Sequence, residues 1–307
     1  MKLHLDTDIG GDMDDLCALA MLLKWPGVEI TGITTTAEEG GRRAGFVARV
    51  LDLAGRTDIP FAAGADVADG YYRSSIGYPD DVENWGDSPP RCPGPLDDAL
   101  ELMKRSIDQC ATIVGIGPYT NFRLLDERYP GSLRQASVVL MGGYVYDIPE
   151  GYPQWWDRSY DWNMQMDIRS AVHVLEHAAP LLVPLPITVR TALRRAYLPR
   201  LAKAGSLGEL IVRQAEACAR AYHNEANYQE HCPALPPDTI NMQHDPLTCA
   251  IALGWHDGIA MDTVPLRLEV RGGLLHEYPD PSGIPTRIVT AIDAPRFNEL
   301  WLETICA

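Results

Sequence analysis

KLHLDTDIGGDMDDLCALAMLLK, residues 2–24, holds the key to the fold. Residues 2–8 read as a β-strand ending in carboxylates, and residues 13–24 read as a helix. The same rhythm continues outward. Residues 28–36 (VEITGITTT) are β-branched and strand-like, 41–55 are helical, and 59–63 are again strand. After a loop, helix is expected over 96–107, strand over 111–117 (ATIVGIG), helix over 119–128 and strand over 137–143 (SVVLMGG). Continuously apolar strands alternating with helices argue for a parallel sheet covered on both faces. Ligands bind such sheets beyond the C-terminal strand ends, where Asp6, Asp8, Thr36, Gly117 and Gly143 fall.

The second half predicts a helix over 168–177, a strand over 181–185, and helices over 191–204 and 206–225. A helix beginning near Asp245 follows. Residues 264–271, 274–278 and 287–291 read as an antiparallel β extension, closed by a helix from Pro295. Two irregular segments, 64–95 and 144–160, are long enough to serve as lids or binding loops. The expected fold is α/β: a single open mixed, mostly parallel sheet flanked by helices, with a small antiparallel extension near the C-terminus. With neither repeats nor a flexible linker, residues 1–307 are expected to form one domain.

The formal net charge is −16, from 42 acidic and 26 basic side chains. Such a field repels phosphate backbones and anionic lipid, which argues against nucleic-acid and membrane partners. Seven cysteines lie scattered without a CxxC pair, as expected of reduced thiols in a cytoplasmic protein. The sequence contains neither a signal-peptide pattern nor an uncharged apolar stretch of the roughly 18 residues that a membrane helix needs.

Five aspartates (Asp6, Asp8, Asp12, Asp14, Asp15) fall within ten positions. Capping and helix-dipole effects account for one or two of them. The rest would repel one another unless a hard cation neutralised them, and all-oxygen ligation favours Ca²⁺ or Mg²⁺ over Zn²⁺. An EF-hand fails, because its twelfth position is Cys17 rather than Glu and its flank is a strand. A strand ending in DxD also suits a Mg²⁺ phosphohydrolase of the haloacid-dehalogenase type, with Asp6 as nucleophile and Asp8 as acid/base. An acidic chain without an obvious phosphate-binding lysine weakens that alternative.

The block DTDIGGDMDDLCALA resembles the N-terminal signature DTDPGxDDAxA of the inosine/uridine-preferring nucleoside hydrolases, with a longer loop before the DD pair. Further blocks follow in that family's order: GITTTAEEG (32–40), VGIGPYTNF (114–122), VVLMGG (138–143), DWNMQMDIRSA (161–171) and HDPLTCA (244–250). The resemblance runs essentially from end to end. It implies Ca²⁺-dependent hydrolysis of the N-glycosidic bond of a ribonucleoside or related N-riboside, with a place in purine or pyrimidine salvage. By position it makes Asp8, Asp15, Asp245 and the backbone carbonyl of Thr120 the metal ligands. Asp14 would accept a hydrogen bond from a ribose hydroxyl, Asn163 would hold another part of the sugar, and Asp161 stands where the family has Glu. Asp8 is the expected general base toward a water aligned by the metal, and His244 the expected acid toward the leaving base. Family analogy also suggests a homodimer or homotetramer.

Departures from the family concentrate in the sugar shell. Glu39 (or Glu38) stands where the family usually has Asn, the loop Asn ahead of the EFN block has no counterpart in 153–160, and residues 78–85 replace a helpful His. Glu39 is accordingly expected among the substrate contacts. Candidate stacking partners for a flat base are Trp155, Trp156, Tyr222 and Tyr228, while Met103 and Met164 read as core. The altered shell leaves a non-enzymatic alternative, a Ca²⁺-dependent nucleoside or ribose binder without turnover.

Overall fold

Side chains alternate across the pleat of the first strand, β1 (Lys2–Thr7), and this alternation sorts the core into two layers. Leu3 and Leu5 join one apolar cluster, with Leu16, Leu19, Phe46, Leu247 and Trp301. On the other face His4 meets Ser106 of the helix Leu96–Asp108, beside a second cluster containing Met103, Phe122, Leu140 and Leu182. The computed structural model describes residues 1–66 and 81–307. Further strands are β2 (Glu29–Thr35), β3 (Phe61–Ala63), β4 (Thr112–Gly115), β5 (Ser137–Met141) and β6 (Leu181–Val183). They are followed by β7 (Leu193–Arg194), β8 (Thr239–Asn241), β9 (Ala260–Arg271), β10 (Leu274–Pro279) and β11 (Ile284–Ala291).

Among the described residues nine strands form one sheet in the order β10-β9-β11-β6-β5-β4-β1-β2-β3. From β11 to β3 every neighbour pair is parallel. The pairs β9–β10 and β9–β11 are antiparallel. This is the expected mixed, mostly parallel α/β sheet, and the antiparallel extension is continuous with it through β11 and β6. Helices Asp14–Lys24, Arg42–Leu53, Ser206–Tyr222, His244–Ala252 and Ala294–Cys306 contribute to the first cluster. Leu96–Asp108, Thr120–Arg128 and Ile168–His177 contribute to the second, so both faces are covered.

The expected helix over 191–204 is not present. Leu193 pairs with Asn241 in a small antiparallel sheet formed by β7 and β8, and a 3-10 turn (Arg195–Tyr197) and a four-residue helix (Leu198–Leu201) follow. Backbone pairing to a distant strand overrides local helical spacing here. The helix over 206–225 ends at Tyr222, where His223 takes a left-handed φ of 53°, and a second helix, Asn224–His231, then begins. All seven cysteines are free. Among the described residues no helix is long and apolar enough to cross a membrane.

Candidate active site

The central strands β5, β4, β1 and β2 run parallel, so their C-terminal ends deliver loops to one edge of the sheet. Asp8 follows β1 directly, and the helix Asp14–Lys24 opens with Asp14 and Asp15. Asp245 sits in the first turn of the helix His244–Ala252, which packs against Asp14–Lys24. This packing brings oxygens of Asp14, Asp15 and Asp245 within 4.8 Å of one another. Two oxygens on one Ca²⁺ ion lie at most about 5 Å apart, given Ca–O distances near 2.4 Å, so the spacing fits.

These three side chains are only 6%, 4% and 3% exposed. Burial first, then the charges of neighbouring aspartates, Asp12 and Asp8 for Asp14 and Asp8 with the other members for Asp15 and Asp245, hold all three carboxyls well above the usual carboxylate range. Asp8 is half-buried, and burial pushes it up to about 6, with Arg43 opposing and Asp12 adding to the rise. Carboxylates buried in this number stay ionised only beside a compensating charge, and an all-oxygen donor set suits a hard divalent cation. Asp8 stands outside the tight group of three but acts on it by charge. The loop after β4 closes on it: a Cβ at Gly117 would lie 2.8 Å from Asp8 Oδ1 and 2.9 Å from Asp8 N, so only glycine permits the approach.

The other candidates are placed with differing intimacy. Thr120 opens the helix Thr120–Arg128, and its hydroxyl donates to the buried Asp167 at 2.7 Å. The Asn163 amide donates to the strand-end carbonyls of Ile116 and Met141, both at 3.1 Å. Asp161 is fully buried, accepting from Gly143 N at 2.6 Å and capping the helix Trp162–Met166 through Met164 N. Its carboxyl is thus committed to backbone donors, and burial raises it to about 6. Glu39, which has a left-handed φ of 56°, directs its carboxylate to Arg42 (3.3 Å) and Arg43 (3.6 Å). Glu38 is the buried member of the pair and accepts from Thr35 Oγ1 and from the Arg43 and Ala44 amides. His244 Nδ1 lies 2.6 Å from Thr188 Oγ1, and burial draws its pKa down to about 4, leaving a neutral imidazole at neutral pH.

Several neighbours escaped the sequence reading. Arg43, 8% exposed, donates to the carbonyls of Asp8, Ile9 and Ala37, so it ties the ends of β1 and β2 together. The Glu39–Arg43 spacing of four was the only local hint of it. Thr7 donates to Asp15 Oδ1. Asp6 points away from the cluster: it is fully buried and accepts from Thr34 Oγ1 at 2.5 Å and Asn121 Nδ2 at 2.7 Å. That burial removes it as the nucleophile of a phosphohydrolase.

Of the aromatic candidates, Trp156 has a ring contact with His244. It stacks on Tyr160 (5.3 Å, 10°) and lies 6.0 Å from the His244 ring. Trp155 is 39% exposed and stacks on Tyr228 at 6.4 Å. In the stretch 78–85, residues 78–80 lie outside the described residues; Trp85 packs flat on Phe46 at 4.3 Å. Met103 and Met164 are fully buried core.

Fold and donor set together define an α/β protein in which carboxylates at two helix starts are spaced to share one divalent cation. The chain belongs to the inosine-uridine preferring nucleoside hydrolase family, whose sequence profile it matches over residues 3–299. An uncharacterised Schizosaccharomyces pombe protein is 28% identical over 208 residues, 61% of this chain and 62% of that relative. A pyrimidine-specific ribonucleoside hydrolase of Klebsiella pneumoniae, RihA, is 27% identical over 256 residues, covering 78% of this chain and 79% of its own. Among solved structures, a plant nucleoside hydrolase superposes over 100% of this chain and 99% of its own, with a TM-score of 0.77 at 20% identity.

Proposed function

We propose that this protein hydrolyses the N-glycosidic bond of a ribonucleoside or related N-riboside, releasing free base and ribose. The observation that carries the reading is the buried triad Asp14, Asp15 and Asp245, gathered within 4.8 Å at the C-terminal edge of the sheet. Asp15 and Asp245, with Asp8 and the Thr120 carbonyl, would hold Ca²⁺, leaving Asp14 to accept from a ribose hydroxyl. Ca²⁺ held by these residues would supply positive charge that lowers the pKa of a water and attracts the sugar hydroxyls.

The chain's own groups do the rest. Asp8 takes a proton from the attacking water in this reading, which its partial exposure beside the closed Asp14 and Asp15 supports. Surrounding carboxylates stabilise the positive charge that develops on the sugar as the bond to the base breaks. His244, neutral, serves the leaving base as a hydrogen-bond donor from Nε2, in the tautomer whose Nδ1 accepts from Thr188 Oγ1. Trp156, beside His244, offers the flat face against which a base can stack. Asn163, fixed by two strand-end carbonyls, is the better placed of the DWN pair for sugar contact, because Asp161 is spent on backbone.

The test is chromatographic detection of free base from a panel of ribonucleosides, with Ca²⁺ and with chelator. Chelator-sensitive release of any base is expected. Silence across the panel with Ca²⁺ bound would refute turnover and leave a binding protein.

A further inference from the structure

Asp12 belongs to the longer loop that separates Asp8 from the DD pair, and neither the ligand set nor the mechanism uses it. Its Oδ1 accepts from Met13 N at 2.7 Å and from Asn241 Nδ2 at 2.6 Å, across 229 residues of sequence. Asn241 in turn accepts from Met242 N at 2.9 Å, and it is 8% exposed at the end of β8. Four residues further on is Asp245.

The two halves of the aspartate triad come from opposite ends of the chain. Asp14 and Asp15 are N-terminal, and Asp245 arrives on the limb that β8 leads into. Apolar packing between the helices Asp14–Lys24 and His244–Ala252 brings them together, but the hydrophobic contribution is non-directional. The directional hydrogen bond from Asn241 to Asp12 in this half-buried site fixes the remaining freedom. Met242, next to Asn241, also packs with Tyr228, Cys232 and Leu235, against which Trp156 rests. One contact therefore joins the cation cradle to the aromatic wall.

We propose that Asp12 and Asn241 form a clasp that positions the Asp245 limb against the N-terminal carboxylates, so that cation affinity depends on their hydrogen bond rather than on the charge of Asp12. The inference rests on the reading of the triad as a divalent-cation site. Both residues are positioning residues and touch neither ion nor substrate.

The test is a swap series in the full-length protein, read as Ca²⁺ affinity by titration calorimetry, with the melting temperature recorded for each variant. Asn241→Ala should weaken Ca²⁺ about tenfold or more, the range seen when partners behind metal ligands are removed. Asn241→Asp should be worse, because two carboxylates then face each other. Asp12→Asn keeps an acceptor for Asn241 and should lose less than Asn241→Ala. The double variant Asp12→Asn with Asn241→Asp restores the bond with donor and acceptor exchanged, and should recover most of the affinity that Asn241→Asp loses. A merely structural role would lower the melting temperature without this pattern of loss and recovery. Equal losses in Asp12→Asn and Asn241→Ala, or no recovery in the swap, would overturn the clasp while leaving the cation site standing. A wild type that takes up no divalent ion would overturn both.

Discussion

Glu277 on β10 is a buried acid, 1% exposed, accepting from Tyr144 N and lying 3.7 Å from Arg158. Burial, reinforced by the charge of Asp161, pushes its carboxyl from 4.5 up to about 8. In an unfolded chain the same group ionises near 4.5, so between these values the folded protein holds a proton that the unfolded chain has lost. The fold then loses about 1.4 kcal/mol of stability per pH unit as pH rises through this window, through Glu277 alone. Glu277→Gln keeps an oxygen to accept from Tyr144 N but cannot titrate. Urea unfolding of both proteins at pH 6, 7 and 8 cancels the titrating groups that Glu277 does not touch, Asp161 being its coupled partner. The expected result is a gap that widens in favour of Glu277→Gln by about 2–3 kcal/mol from pH 6 to pH 8. Parallel stability curves would mean that Glu277 is ionised in the fold already at pH 6, and the argument from burial would be wrong.

Three further outcomes follow from the site. Asp8→Asn should cut turnover by about 10²–10⁴-fold, the usual worth of a general base, with a smaller effect on sugar binding; activity within tenfold of wild type would refute the role. Asp15→Ala removes one of the three carboxylate ligands proposed, Asp8, Asp15 and Asp245, and should abolish calorimetrically detectable Ca²⁺ uptake at concentrations that saturate the wild type. Tight Ca²⁺ binding in that variant would sink the ligand assignment. His244→Ala should slow hydrolysis of ordinary ribonucleosides far more than that of p-nitrophenyl riboside, whose leaving group needs no hydrogen bond, and equal losses would remove His244 from leaving-group chemistry.

The sequence alone determined the α/β class, most element positions in the first half, and the segments that supply the carboxylates. These features are local: apolar runs, helical spacing and a DD pair opening a helix need only neighbours within a few residues. The failure over 191–204 has the opposite cause, because β7 exists only through its pairing with β8, some forty residues on. Which acid does what was likewise a tertiary matter. Asp6 and Asp8 stand two residues apart, yet Thr34 and Asn121 claim the first while the second remains partly open beside the triad. Glu38 is buried at a helix start, whereas Glu39 goes to two arginines; Asp161 is absorbed by the Gly143 amide. A carboxylate's role depends on the donors that reach it and on how much water it keeps. Residues as distant as Asn241 from Asp12 supply those donors, and only the folded chain brings them together.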